Sequence, residues 1–184
     1  MIDIVDETPA HIGAREDLLD RSFGPDRFLK TSERLREGRV PAFAFTALDD
    51  EGNLVGTLRL WHVTDALGNR ALLLGPLAVE ESCRSQKVGA RLMRHALNQA
   101  AVSGHGAVIL VGDLPYYERF GFGVGQLENV TMPGPVDWHR FLAIDLVEGT
   151  TAQMTGCLEA AGAVDLSAIG HRRSARRALR RRAA

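Results

Sequence analysis

A basic segment at the start of a predicted helix has the residue types that bind phosphate. Residues 75–91 read GPLAVEESCRSQKVGAR and precede a helix predicted over about 86–103. Free backbone N–H groups and the helix dipole attract anions at such a turn. Arg84 and Lys87 are basic residues at the positive end of that dipole, which is unfavourable unless an anion is bound, so they favour an anion site there. The small residues Gly89 and Ala90 leave the backbone open to a large anion. The alternative is an ordinary solvated face.

Two adjacent tyrosines provide a second chemical feature. Residues 110–122 read LVGDLPYYERFGF, so a buried strand ends at Gly112 and a short helix then carries Tyr116 and Tyr117. A phenol can donate a proton to a leaving group. The alternative is packing, because one of two neighbouring tyrosines on a short helix normally faces the core. Ligands usually bind beyond the carboxyl ends of strands, and both segments leave the same predicted sheet edge.

The elements that position these segments follow from hydrophobic periodicity and turn residues. Strands are predicted at 2–5, 42–48, 54–63, 71–79, 107–111, near 122–131 and at 140–147, and helices from Thr8 to Phe23, over about 27–37, 86–103 and 115–120. Gly75-Pro76 predicts a bulge or a break in pairing, since proline cannot donate to a sheet ladder. The strand–helix–strand unit over 71–111 predicts a parallel crossover, hence a mixed α+β fold, and 150–170 is expected to be irregular.

Composition excludes several classes of protein. Hydrophobic residues make up 45% and charged residues 24% of 184 residues, which is typical of one globular domain. No apolar run approaches the roughly 20 residues of a membrane span. The acidic N-terminus MIDIVDETPA differs from a signal peptide, so we expect a cytoplasmic protein. Cys83 and Cys157 are too few and too distant for a disulfide framework or a zinc site.

The net charge of −1 conceals two unlike parts. All 23 acidic and 15 of the 22 basic residues lie within 1–170, which therefore carries −8, whereas 171–184 holds seven arginines and no acid. Such a tail could bind nucleic acid through phosphate contacts. Against this, it has no aromatic residue for base stacking and the body is acidic. We favour a solvated terminus, or a helix that docks on the body or a partner subunit, over nucleic-acid binding.

Taken together, these segments resemble the GNAT superfamily of acetyl-CoA-dependent N-acetyltransferases, in particular a bacterial branch of small predicted enzymes. The resemblance rests on LGPLAV at 74–79, RSQKVGA at 84–90, GDLPYYERFGF at 112–122 and PGPVDWHRFLAIDL at 133–146, in this order over residues 2–150. It implies a GNAT-like fold, in which a central, mixed but largely antiparallel sheet splays at two parallel strands and carries helices on both faces. It also implies a catalytic domain over 1–150. We expect 151–170 to be a C-terminal extension of that domain, and the resemblance does not cover the arginine-rich tail over 171–184.

The resemblance assigns roles to individual residues. The pantetheine arm of acetyl-CoA would pair with the backbone of Leu77, Ala78 and Val79, beside the splay. The pyrophosphate would rest on the amides of 85–90, that is Ser85, Gln86, Lys87, Val88, Gly89 and Ala90, with Arg84 and Lys87 screening its charge. Tyr117, in the family's Tyr-x-x-x-Gly-Phe position, would protonate the departing thiolate, and Tyr116 would pack beside it. Transfer would be direct, without a metal.

Two points stay open from the sequence. Lys87 replaces the first glycine of the family's Arg/Gln-x-x-Gly-x-Gly/Ala loop, which is compatible with the backbone if residue 87 has a negative φ angle. The general base is open among Glu80, Glu81 and Asp113, with His62 and a water chain as further alternatives. The first two acids could equally be solvated, and Asp113 could cap the short helix.

Three functions are therefore consistent with the sequence. The first is transfer of acetyl from acetyl-CoA to a primary amine of a small molecule or peptide, with a homodimer compatible with the superfamily. The second is a non-catalytic acyl-CoA sensor, in which the altered loop has abolished catalysis. The third is nucleic-acid association through the tail. Tyr117 favours the enzyme, and the acidic body is consistent with cationic amines.

Overall fold

The computed structural model describes residues 1–166 of the chain. The arginine-rich tail over 171–184, with the roles considered for it, lies outside these residues. The strands are β1 Asp3–Asp6, β2 Phe43–Leu48, β3 Leu54–Thr64, β4 Arg70–Val79, β5 Ala107–Val111, β6 Val130–Thr131, β7 Phe141–Asp145, β8 Gly156–Cys157 and β9 Glu159–Ala160. The α-helices are α1 Ile12–Phe23, α2 Glu33–Arg36, α3 Val88–Val102 and α4 Leu114–Tyr117.

A mixed sheet organises the described part of the chain. Seven strands belong to it, in the order β1-β2-β3-β4-β5-β7, with β9 paired to the far end of β3. The β4–β5 pair is parallel, as the crossover through α3 predicts, and the other pairs are antiparallel. The predicted mixed, largely antiparallel sheet is therefore confirmed.

The sheet is covered on both faces. On one face, α3 buries Val88, Leu92 and Met93 with the rest of its apolar stripe against the sheet, as the helical spacing predicts. On the other face, α2 contributes Leu35 to a second cluster, which the segments after β5 complete. Near the site, Leu18 of α1 packs against Ala78 of β4. The helices therefore hold β4 from both sides.

The predicted bulge at Gly75-Pro76 is present. Leu60 of β3 pairs with Leu74 and Leu58 pairs with Leu77, so Gly75 and Pro76 together oppose one residue of β3. The insertion shifts the side-chain alternation by one residue. Leu74 before it and Leu77 after it consequently face the same α3 side of the sheet.

Two predicted elements are wrong in extent. The helix predicted over 27–37 is a 3₁₀ turn at Pro25–Leu29 followed by the single turn of α2, because Lys30 between them adopts an extended backbone. The Thr31 hydroxyl donates to the Pro135 carbonyl at 2.5 Å, and this contact with a distant loop holds the break. The strand predicted near 122–131 is confined to β6 and an isolated bridge at Gly123.

Residues after 150 contain more regular structure than the sequence predicts. A 3₁₀ turn at Thr151–Gln153 leads to β8, which pairs in parallel with β6. The next strand, β9, pairs with β3 at Val63 and Thr64. Met154 and Leu158 are buried in the cluster that lies under α2. Residues 151–160 therefore pack on the same body as the preceding chain.

Candidate active site

The two parallel strands separate next to the bulge. Cα pairing between β4 and β5 is limited to Leu72 with Val108 and Leu73 with Ile109. Although β4 continues to Val79, no strand of residues 1–166 pairs with it on the β5 side beyond this point. The backbone of Leu77, Ala78 and Val79 therefore presents one unpaired edge. Extended amide-containing ligands bind such an edge as an added strand.

A groove runs along this edge. It encloses about 560 Å³, within the usual range for small-molecule sites. Its lining includes predicted cofactor residues from β4, the loop and α3, together with both tyrosines: Leu77, Ala78, Val79, Arg84, Gly89, Asp113, Tyr116 and Tyr117, with Ser22 and Phe23 of α1 opposite. The structure thus brings both sequence segments to one place.

The predicted anion loop is a 3₁₀ turn, Glu81–Gln86, that leads directly into α3. The first hydrogen bond of the helix joins the Arg91 amide to the Lys87 carbonyl at 3.0 Å, so the amides of residues 88–90 precede it and lack intrahelical acceptors. No side chain caps this terminus, and its first turn contains no acidic residue. An anion is the partner that would complete it.

Lys87 does not have the negative φ angle that would make a lysine compatible with the loop backbone. Its φ of 60° and ψ of 21° lie in the left-handed region, and it is the one non-glycine residue with positive φ among residues 1–166. A Cβ atom is unfavourable there by about 1–2 kcal/mol. The position therefore keeps the backbone conformation that suits glycine while carrying a lysine.

The other loop residues differ in how they face solvent. Ser85, Gln86 and Lys87 are exposed, and Ala90 is half-buried. Val88 is fully buried in the core, so only its backbone can reach a ligand. Arg84 lines the groove, and its guanidinium is 3.9 Å from the Glu81 carboxylate in a largely exposed pair that contributes little stability.

Tyr117 lies where the groove meets a second cavity. Its ring packs edge-on against Tyr116 and Phe122, with centroids 4.9 Å and 6.0 Å away. The hydroxyl has no hydrogen-bond partner among the described residues. Burial, with smaller contributions from Tyr116 and Asp113, raises the pKa of Tyr117 to about 12. The phenol therefore keeps its proton throughout the neutral pH range.

Glycines make room for both tyrosines. A Cβ atom on Gly112 would lie 2.2 Å from Cε2 of Tyr117, so the ring packs directly on this backbone. A Cβ atom on Gly89 would lie 2.7 Å from the Tyr116 hydroxyl. The space left by Gly89 is thus filled by a phenol in this conformation. Burial raises the pKa of Tyr116 as well.

The three acidic residues named as bases lie in different surroundings. Asp113 lines both cavities, and its carboxylate forms an ion pair with Arg140, with Nε 3.1 Å from Oδ1. It precedes α4 but makes no side-chain cap. Glu80 is ion-paired with Arg21, and Glu81 is 90% exposed; neither lines the groove. Asp113 is therefore the member of the set next to Tyr117.

His62 and Cys83 lie apart from the tyrosines. His62 pairs in register with Leu72 at the beginning of β4, and its ring lies 5.3 Å from that of His105. Cys83 is buried in the Glu81–Gln86 turn before α3, as is typical of an unreactive thiol. Neither residue belongs to the lining of the groove.

The second cavity contains residues that the sequence did not single out. It encloses about 200 Å³ and adjoins the groove at Leu77, Asp113 and Tyr117. Its charged lining comes from the Pro25–Leu29 turn, the break after it, α2 and the end of the Trp138–Arg140 turn, together with Asp113, which the sequence had named: Arg27, Lys30, Glu33, Arg36, Asp113 and Arg140. No spacing rule joins these positions, because the break at Lys30 and a distant loop assemble them.

The described residues contain neither a metal-ligand cluster nor a membrane-spanning helix. Within 1–166, no cluster of three or more His, Cys, Asp or Glu side chains is arranged to hold a metal ion. No helix in this range is long and apolar enough to cross a bilayer.

Comparison with known proteins gives consistent results. A family model described as the acetyltransferase (GNAT) family matches residues 13–122. The uncharacterized N-acetyltransferase YhbS of Escherichia coli strain K12 is 30% identical over 155 residues, which cover 83% of this chain and 92% of YhbS.

Solved structures extend the comparison to three dimensions. YhbS from Escherichia coli in complex with CoA superposes with a TM-score of 0.75 and 28% identity, over 87% of this chain and 89% of that one. A GNAT family acetyltransferase from Brucella melitensis in complex with acetyl-CoA has a TM-score of 0.59 and 22% identity, over 78% and 96% of the two chains. The latter likeness concerns the fold alone.

Proposed function

Because this chain belongs to the GNAT acetyltransferase family, we propose that it transfers the acetyl group of acetyl-CoA to a primary amine. The observation that carries the proposal is the meeting of three features in one groove. These are the unpaired edge of β4, the uncapped start of α3 and the protonated hydroxyl of Tyr117. The residues expected to bind the pantetheine arm, to bind the pyrophosphate and to act as the general acid are therefore neighbours.

The residues present fit acetyl-CoA. The backbone of Leu77, Ala78 and Val79 would hold the pantetheine arm, whose amides match an unpaired strand edge. The amides at the start of α3 would hold the pyrophosphate, and Arg84 and Lys87 would balance its charge. When bound, the cofactor supplies a thioester that an amine can attack.

Tyr117 would then act as the general acid. Tyr117 lines the groove and its hydroxyl has no hydrogen-bond partner among the described residues, so its proton would be available to the departing sulfur atom. The packing on Gly112 fixes the ring, and the raised pKa keeps the group protonated. Such positioned acids contribute about 10²–10⁴ in rate.

For the base, we propose Asp113. It lines the cavity beside Tyr117, whereas Glu80 and Glu81 do not line the groove. A carboxylate there can take the proton that an ammonium acceptor must lose, directly or through a water molecule. Its exposed ion pair with Arg140 involves one carboxylate oxygen and leaves the other for this purpose.

The test is a two-part assay with purified full-length protein. Calorimetric titration measures acetyl-CoA binding, and thiol release with mass spectrometry measures N-acetylation across amino acids, aminoglycosides, polyamines and peptide N-termini. An N-acetylated product supports the enzyme. Binding of acetyl-CoA without transfer to any amine would instead support the acyl-CoA sensor.

A further inference from the structure

The cavity beside Tyr117 is positively charged although the body of the protein is acidic. Four cations line it against two acids: Arg27, Lys30, Arg36 and Arg140 against Glu33 and Asp113. The cavity is continuous with the groove at Tyr117, on the side away from the anion loop. In the proposed reaction, this is the side from which an acceptor approaches the thioester.

Two of these cations already have carboxylate partners. The guanidinium of Arg27 is bound by Glu16 and Asp20, both outside the cavity. Arg140 pairs with Asp113 at 3.1 Å. Outside these pairs, the charged residues of the lining are Lys30, Arg36 and Glu33.

Arg36 is buried with incomplete pairing. Its Nη2 lies 3.2 Å from both the Glu33 carboxylate and the Ser32 hydroxyl. Only 9% of the residue is exposed, and its buried Nε has no hydrogen-bond partner among the described residues. Burial lowers its pKa. An incompletely paired, buried guanidinium is unfavourable, and because Arg36 lines the cavity, an acceptor bound in the cavity would improve its pairing.

Lys30 adds a second cation with no carboxylate partner. Within residues 1–166 it forms no ion pair, and its Nζ lies 4.7 Å from the centre of the Phe23 ring. Burial and the charges of Arg36 and Arg140 lower the pKa of Lys30. These three cations therefore repel one another across the cavity, and an anion placed among them would relieve that repulsion.

We propose that the acceptor amine carries an anionic group, a carboxylate or a phosphate, that binds Lys30 with Arg36 and Arg140 while the amine lies beside Tyr117. The inference rests on the proposed acetyl transfer and names the class of its acceptor. The volume of about 200 Å³ is below the about 300–1,000 Å³ of drug-sized sites, which favours an acceptor the size of an amino acid. It reverses the expectation of a cationic amine, which rested on the charge of the whole body.

Matched acceptors test the inference. Each standard amino acid is compared with its carboxamide and its decarboxylated amine, and phosphoethanolamine is compared with ethanolamine. The best carboxylate or phosphate acceptor should exceed its neutral analogue in kcat/KM by about tenfold or more, since a charged hydrogen bond is lost. The two arms distinguish a carboxylate from a phosphate. Equal or higher values for the neutral or cationic analogues would overturn the inference.

A variant localises the effect. Lys30→Met keeps the apolar stem but removes the charge, and should raise KM for the anionic acceptor about tenfold while leaving its neutral analogue unchanged. Arg70→Gln is the matched control, because it removes one exposed charge from the opposite end of β4. If Lys30→Met changes KM equally for the anionic acceptor and its neutral analogue, the inference is contradicted. It is also contradicted if Arg70→Gln raises KM for the anionic acceptor as much as Lys30→Met does.

Direct binding separates the inference from the function. Calorimetry with the best carboxylate acceptor and its carboxamide, in the presence of CoA, should detect tighter binding of the carboxylate that Lys30→Met abolishes. Acetylation of many amines without regard to charge overturns the inference and leaves the proposed function intact. Acetylation of none, with Lys30-dependent carboxylate binding, overturns the function and retains an anion site.

Discussion

Lys87→Gly should stabilise the protein although it removes a side chain. Lys87 adopts a φ of 60°, which disfavours a Cβ atom, and its side chain is exposed and forms no ion pair among the described residues. Relief of the left-handed penalty is worth about 1–2 kcal/mol. The glycine variant also has more backbone entropy in the unfolded state, which lowers this stabilisation by about 0.5–1 kcal/mol. We expect a net gain of about 0.5–1 kcal/mol.

For a chain of this size, that gain raises Tm by about 1–4 °C. Scanning calorimetry of the ligand-free protein measures the shift. Lys87→Gln is the matched control, because it removes the same charge and retains a Cβ atom, so its Tm should stay within about 1 °C of the parent. An unchanged or lower Tm for Lys87→Gly would refute the reasoning from backbone strain.

The same pair of variants separates strain from charge. If the ammonium contacts the pyrophosphate, Lys87→Gln and Lys87→Gly should both weaken acetyl-CoA binding by about three- to tenfold, measured by calorimetric titration. Weaker binding in Lys87→Gln alone would instead mean that the loop needs the close backbone approach that glycine permits.

The remaining predictions concern Tyr117 and its neighbours. Gly112→Ala should lower kcat at least tenfold, since the new Cβ would overlap the Tyr117 ring, whereas Gly13→Ala, with nothing within 4 Å, should leave kcat unchanged. With a Tyr117 pKa of about 12, kcat should show no fall from phenol ionisation up to about pH 10.5, and a fall centred near the ordinary pKa of about 10 would contradict the burial. Stability measured by denaturant titration should decline between about pH 10 and 12, because the unfolded state loses the phenol proton first. Asp113→Asn should lower kcat/KM about tenfold or more below the pKa of the acceptor, and an unchanged pH profile would exclude it as the base.

Local patterns in the sequence predicted much of this fold. The apolar stripe of α3, the bulge at Gly75-Pro76 and the parallel crossover each depend on neighbouring residues or on a general rule of handedness. The convergence of Arg84 and Tyr117 on one sheet edge also followed, because both segments leave carboxyl ends of strands. Their catalytic and binding roles stay predictions.

The second cavity, beside Tyr117, was not predictable in the same way. Lys30 looks like a residue within a continuous helix, and only the contact of Thr31 with Pro135 explains why the helix breaks there. Arg140 comes from a turn over a hundred residues away, so no local pattern links the two. The positive φ angle of Lys87 was also not predicted, because the residue type does not reveal the backbone conformation that the loop imposes.

Total charge proved a poor guide to the site. The acidic residues that give residues 1–170 a charge of −8 lie mostly elsewhere, while cations gather in a cavity that the average conceals. The cytoplasmic location and a homodimer stay predictions.

The most direct test of the central claim is the transfer rate of Tyr117→Phe at saturating acetyl-CoA, measured with the dissociation constant for acetyl-CoA. The phenyl ring keeps the packing against Tyr116 and Phe122 and loses only the hydroxyl. We predict a fall in kcat of about 10²–10⁴ with an unchanged dissociation constant. An unchanged kcat, or a loss of activity explained by weaker binding alone, would contradict the role of Tyr117 as the acid.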